Sequence, residues 1–351
     1  MMLKKYRSIS CLILCTGILA GSISSCKKAP QERDYLSNKA GFEQVDTYSP
    51  VLGRTFLYKT NFQADGSSFP LLFTLQNLRH ADGTPAPELT QNVTVKEWVK
   101  DYDGAEKTYQ EIEDKRKTVQ HPFFEIRPGA GDFIFRQTTS AQIRAYPDSG
   151  YLFDVKVQNK GNELLFTKLR LQPLQEVPYE PYEYDYATRQ RKTETRTDVR
   201  GNNYNAPFSI HPNLVNVNVS KDTLMADSAA VVYFRKTGNG HSLTFKFYDQ
   251  DSMPIDPLKL NATKWDVLLH GFDAQFTKTQ VTYNVAYPIP LTSLDTKYAV
   301  AGNANVTFGY TRKGTGGFRN TSSFGLSFAI WQEGDWEMIF RFYRTPRFQD
   351  E

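Results

Sequence analysis

The chain has 351 residues, of which 40% are apolar and 23% charged, with 42 Lys and Arg against 38 Asp and Glu. So even a balance carries no electrostatic footprint for nucleic acid. All three cysteines, Cys11, Cys15 and Cys26, lie at the N-terminus, which excludes a disulfide framework or a thiolate metal site from the rest of the chain.

Residues 1–25 open with Lys4, Lys5 and Arg7, continue as a largely apolar run from Ile9 to Ala20 and close on small residues. This is the pattern of a secretory signal, and the apolar run is shorter than the roughly 20 residues that a membrane span needs. Ile23-Ser24-Ser25-Cys26 resembles the lipobox of bacterial lipoproteins, which implies cleavage before Cys26 and lipidation of its thiol. An ordinary signal with a chance cysteine, or a short anchor, is the alternative. At about 0.8 kcal/mol per buried methylene, several acyl chains on Cys26 hold a soluble domain at a membrane unaided. Removing 25 of 351 residues leaves 326, and the loss of three basic residues takes 42 to 39 against 38 acidic, a charge of +1.

Residues 26–40 are polar, as expected of a lipidated tether. From 41 to 175 the sequence predicts strands at Thr55–Phe62, Pro70–Leu78, Val93–Val99, Phe123–Arg127, Tyr151–Gln158 and Leu164–Leu171, runs of β-branched and aromatic residues bounded by turn formers. Ala105, Tyr109, Ile112 and Val119 keep helical spacing and predict one helix over 105–116, with Asp101-Tyr102-Asp103-Gly104 at its cap.

The pattern stops near Pro173. Residues 176–206, rich in Tyr and Pro and then polar, are expected to connect two domains. From 207 to 351 strands resume at Leu214–Val219, Ala229–Arg235, Leu243–Tyr248, Val267–Leu269, Gln280–Ala286, Val306–Tyr310, Phe324–Trp331 and Trp336–Phe342. Two-residue alternation with frequent turns predicts an all-β protein of two antiparallel immunoglobulin-like β-sandwich domains, one short helix in the first.

Several segments carry a family likeness: Glu32-Arg33-Asp34-Tyr35-Leu36-Ser37, Leu52-Gly53-Arg54-Thr55, Asp82-Gly83-Thr84-Pro85-Ala86-Pro87-Glu88-Leu89, Pro147-Asp148-Ser149-Gly150-Tyr151, Val285-Ala286-Tyr287-Pro288-Ile289-Pro290-Leu291 and Glu333-Gly334-Asp335-Trp336-Glu337. With these the chain resembles an uncharacterised family of Bacteroidetes outer-membrane lipoproteins, of unknown function, across nearly all of its mature length. As a class it is similar to accessory lipoproteins of glycan-uptake systems, which implies outer-membrane transporter partners. Lipoproteins of that phylum exposed at the cell surface tend to carry acidic residues just after the lipidated cysteine. Here Lys27 and Lys28 come first, so the periplasmic face is the alternative to the cell surface.

Catalytic patterns are missing from the sequence. His80, His121, His211, His241 and His270 are scattered outside any zinc motif, and there is no nucleophile elbow or phosphate-binding loop. Lys313-Gly314-Thr315-Gly316-Gly317 fits a hairpin loop. Asp249-Gln250-Asp251-Ser252 begins like a calcium loop but lacks its later ligands, and a polar turn explains it better. The expectation is therefore a non-enzyme with no metal and no cofactor. Trp265-Asp266-Val267-Leu268-Leu269-His270 weakly resembles a strand motif of haem-scavenging lipoproteins, with His270 or His241 as axial ligands, and haem capture is the minor alternative. The plainer reading is that Trp265 anchors a core strand and His270 meets a backbone partner.

Twenty tyrosines and 24 phenylalanines are unusually many. Tyr179, Tyr182, Tyr184 and Tyr186 stand among acidic residues at the expected junction, where sugar faces stack on rings and carboxylates accept hydroxyls. They are the candidate ligand-binding residues for a polysaccharide or oligosaccharide, unless they only pack the connection against both domains. Trp331 and Trp336 fit core or hairpin positions. Asp222-Thr223-Leu224, Asp227-Ser228-Ala229 and Asp251-Ser252-Met253 resemble an O-glycosylation tripeptide, making Thr223, Ser228 and Ser252 candidate modification sites. The alternative to a glycan binder is a structural or adhesive envelope protein acting through sheet edges.

Overall fold

The computed structural model describes residues 34–350 except 43–46, 147–149, 199, 221–222 and 315. The signal peptide, Cys26 and the start of the tether lie outside the described residues. Among these the protein is all-β, with several sheets and no barrel.

The first half is built on a three-stranded antiparallel sheet with Tyr151–Gln158 at its centre, flanked by Glu163–Leu171 and Leu72–His80. Strand alternation turns Tyr151, Phe153, Val155 and Val157 inward, all at most 2% exposed. A second sheet, Phe56–Tyr58, Phe133–Phe135 and Phe124–Ile126, contributes more rings to the same core. Phe124 stacks on Phe135 at 4.5 Å, and Tyr48 meets Phe133 edge-on at 4.9 Å. Much of the aromatic content that pointed to a ligand is thus core packing.

The helix is much shorter than the spacing predicts. It spans Tyr109–Glu113, and its cap is Thr108, whose hydroxyl accepts the Glu111 N–H at 3.1 Å. Asp103 instead accepts the Ala105 N–H at 2.9 Å. Val119 belongs to the strand Arg116–Pro122, which pairs antiparallel with Asn92–Trp98 along its length. Cross-strand bonding overrode a coincidental helical spacing.

The second half contains a five-stranded sheet ordered Ala230–Gly238, Asp335–Phe342, Ser242–Tyr248, Gln280–Val285, Gly271–Phe276. Only the pairing of Ser242–Tyr248 with Asp335–Phe342 is parallel. A second sheet is built on Arg319–Ile330, which pairs with Ala304–Lys313, Asn213–Val215 and Tyr179–Glu180. Both sheets feed one core in which Phe308 lies within 5.2 Å of Phe245 and 4.8 Å of Phe247, ring centre to ring centre. Trp265–Val267 is a 3-10 turn where a strand was expected over Val267–Leu269.

The stretch expected to be an irregular connection carries ordered structure. Tyr179–Glu180 adds a strand to the second half, and Thr193–Thr197 pairs with Asn203–Pro207 as a hairpin. Its turn is held by Asp198, whose carboxylate accepts the N–H groups of Arg200 and Asn202, both at 2.8 Å. Thr, Glu, Arg and Asn on both faces leave no hydrophobic period to detect.

Candidate functional site

The two halves meet along a seam around Ile112, and the Asn92–Trp98/Arg116–Pro122 ribbon reaches it through Arg116. Register sets Thr94 opposite Gln120, Lys96 opposite Thr118 and Trp98 opposite Arg116, so these six share a face. Val93, Val95 and Val119, on the other face, pack into the first core.

Beside the helix, Ile112 is buried against Phe272, Ala286 and Leu291 of the second half. Arg116 Nη1 donates to the Tyr287 carbonyl at 2.6 Å while its other nitrogen pairs with Glu113. Lys96 lies 3.2 Å from Glu113 and 3.6 Å from Glu333. On the far side of the ribbon, the Tyr102 hydroxyl meets His270 Nδ1 at 2.6 Å and His270 Nε2–H donates to the Glu106 carbonyl at 2.9 Å.

A cleft of about 620 Å³ opens at this seam. One wall is the ribbon's polar face, with Thr94, Lys96, Arg116 and Thr118. Gln137, Thr138, Thr139 and Gln142 join it from the loop after Phe133–Phe135, and Glu176-Val177-Pro178 runs past on the way into the second half. The opposite wall is Tyr287, Pro288, Trp331, Gln332 and Glu333. Backbone pairing fixes that wall: Ile330 exchanges hydrogen bonds with Ile289 at 2.9 and 2.7 Å, and the Trp331 N–H donates to the Pro178 carbonyl at 2.8 Å.

The Arg54 guanidinium sits 4.7 Å from the Trp331 ring centre and donates to Glu180 at 2.9 Å. Tyr186 donates its hydroxyl to the other Glu180 oxygen at 2.6 Å. Burial disfavours the Glu180 charge, yet Arg54 and Tyr186 outweigh it and hold the carboxyl below its usual pKa. Glu176 accepts from the Ser140 N–H and hydroxyl, both at 3.0 Å. The side chains of Thr118, Gln137, Thr139 and Gln332 have no hydrogen-bond partner among the described residues, and all four are exposed. The site therefore offers amides and hydroxyls beside one indole, with its charged groups already ion-paired or, for Glu176, hydrogen-bonded.

Tyr179, Tyr182 and Tyr184 come together, but not in the cleft, while Tyr186 sits against Glu180 and Lys192. Tyr179 stacks on Phe234 at 4.5 Å and packs against the second core, and its hydroxyl donates to Glu183 at 2.8 Å. Tyr182 touches both Tyr179 and Tyr184, and of the four only Tyr184 is exposed, at 42%. None of them is among the cleft's lining residues. Trp336 is a core residue, whereas Trp331 is part of the cleft. Sequence reasoning missed Gln137, Gln332 and the ribbon face, because they converge from segments far apart in the chain.

Both His270 nitrogens are engaged: burial favours the neutral ring, Nε2–H donates to the Glu106 carbonyl, and Nδ1 meets the Tyr102 hydroxyl. His241 lies stacked under Tyr109 at 4.4 Å. The Asp249 carboxylate is used within its own turn, accepting the N–H groups of Asp251 at 3.0 Å and Met253 at 2.9 Å. Thr223 and Ser228 are exposed, and the exposed Ser252 hydroxyl accepts from Arg341 at 2.8 Å.

A family model described as a domain of unknown function, DUF5007, matches residues 62–350. The chain belongs to the DUF5007 family. No curated protein and no solved structure matches it. The matched segment contains every cleft residue except Gly53.

Proposed function

We propose that this DUF5007 protein is a lipid-anchored exported protein that binds a polysaccharide or oligosaccharide in the seam cleft without transforming it, as an accessory to outer-membrane nutrient uptake. The cleft carries the reading: it is large enough for several sugar rings, open to solvent, and lined by uncommitted amides and hydroxyls beside Trp331. The N-terminal pattern ending in Cys26 supports export and lipid anchoring of a Bacteroidetes type, facing the cell surface or, given Lys27 and Lys28, the periplasm. Pairs of sheets around a common core support immunoglobulin-like sandwiches as the finer description of each half.

Envelope assembly is the second reading, favoured by the hairpin Thr193–Thr197/Asn203–Pro207, neither strand of which pairs with a third among the described residues. Affinity electrophoresis of the full chain through gels containing plant, host and microbial polysaccharides separates the two. Retardation that weakens in Gln332→Ala supports the cleft. An unretarded protein across the whole panel overturns glycan binding and favours assembly.

A further inference from the structure

We infer that the cleft selects uncharged glycans and rejects uronic-acid or sulfated polymers, an inference that rests on the binding reading above. The formal charges on its walls cancel: Lys96 and Arg116 against Glu176 and Glu333. More decisive is that the cations are already engaged. The Arg116 side chain is only 4% exposed and is held by the Tyr287 carbonyl and Glu113. Lys96, with 39% of its side chain exposed, is the more accessible of the two and stands between Glu113 and Glu333 at 3.2 and 3.6 Å.

An anionic polymer needs a cation free to meet it, and a bidentate guanidinium is the strongest such partner. Drawing Lys96 away would leave Glu113, whose side chain is 19% exposed, and Glu333 sharing the seam with one fewer positive charge. Glu333 is itself 54% exposed and repels an incoming carboxylate or sulfate.

The uncommitted groups have the opposite preference. Gln137 and Gln332 each present a donor and an acceptor, and Thr118 and Thr139 each do both through one hydroxyl. A sugar hydroxyl also donates and accepts, so it satisfies both functions of every such group. A carboxylate or sulfate ester only accepts, so it can use the amide N–H and hydroxyl donors but not the amide carbonyls.

The test is affinity electrophoresis of the full chain in mild detergent through gels containing galactomannan, xyloglucan, polygalacturonate or chondroitin sulfate. The structure predicts retardation by at least one of the two neutral polymers and by neither acidic one, with little change as salt rises, because no ion pair forms with the ligand. Thr118→Lys, at an exposed position on the ribbon, makes the cleft net positive and is expected to raise affinity for polygalacturonate by about fivefold. Salt-sensitive retardation of the unaltered chain by the acidic polymers overturns the selectivity while leaving glycan binding intact. Free passage through all four gels, with Thr118→Lys equally unretarded, overturns the selectivity, and if it extends to the wider panel it overturns the binding reading too.

Discussion

The Tyr102 hydroxyl meets His270 Nδ1 at 2.6 Å although 168 positions separate the two residues in sequence. The imidazole also lies parallel to Tyr298 at 4.6 Å and donates to the Glu106 carbonyl, so it ties the segment before the helix to the second half.

That contact predicts a dependence on pH. Burial lowers the His270 pKa from its ordinary 6.5, with the Glu106 carboxylate and carbonyl opposing and Lys297 assisting. The unfolded chain therefore binds this proton more readily, and stability rises with pH across the window. His270's contribution is complete above about pH 6.5 and is lost as pH falls from there toward the lowered folded value. Urea midpoints measured from about pH 8 down to about pH 5 should fall, and His270→Gln should flatten that fall. An equally steep fall in the variant would place the effect elsewhere.

Asp154 is the second test. Its carboxylate accepts from Asn77 at 2.8 Å, Arg79 at 3.1 Å and the Lys168 N–H at 2.8 Å. Asn77 and Lys168 sit at positive φ, where the register shifts in the two strands flanking the central one. One side chain thus holds two bulges, and Asp154→Ala should cost about 3 kcal/mol by chemical denaturation. A cost under about 1 kcal/mol would mean that the bulges persist without it.

In the second core, Phe308 is fully buried and lies within 5.2 Å of Phe340 as well as its other ring neighbours. Truncation to Ala should cost about 3 to 5 kcal/mol, and Phe308→Leu clearly less, because a smaller void is left. Thermal unfolding of both variants checks the order; equal losses would contradict ring packing as the source.

Asp335 closes the turn between Ala230–Gly238 and Ser242–Tyr248, accepting the Gly240 N–H at 2.9 Å and the Ser242 hydroxyl at 2.7 Å. A Cβ on Gly240 would come within 2.5 Å of that carboxylate. Gly240→Ala should therefore destabilise by about 1 to 3 kcal/mol. These hydrogen bonds hold the Asp335 pKa below its usual value, so its stabilisation is present above about pH 4 and lost on further acidification, a window separate from that of His270. A neutral outcome for Gly240→Ala in urea unfolding would mean that the carboxylate moves freely aside.

How much of this was legible in the sequence depends on whether one face of an element is buried. Asp335–Phe342 alternates a buried face with a less buried one, Tyr151–Gln158 does so apart from the buried Asp154, and the sequence locates both to within a residue. The Thr193–Pro207 hairpin has polar residues on both faces and was invisible to that test. Arg116–Pro122 was obscured by the chance helical spacing of Ile112 and Val119. The cleft had almost no local signature. Val93 and Val95 alternating with Thr94 and Lys96 marked a polar strand face, but only the fold sets that face opposite Trp331 and Gln332.

The claim that glycan binds in the seam cleft is tested most directly by hydroxyl-radical footprinting of the full chain with and without galactomannan. Protection of the Trp331 indole and of Pro288, with Tyr184 labelled equally in both states, is the predicted result. Protection confined to Tyr184 and its neighbours would contradict the cleft and return the site to the junction tyrosines.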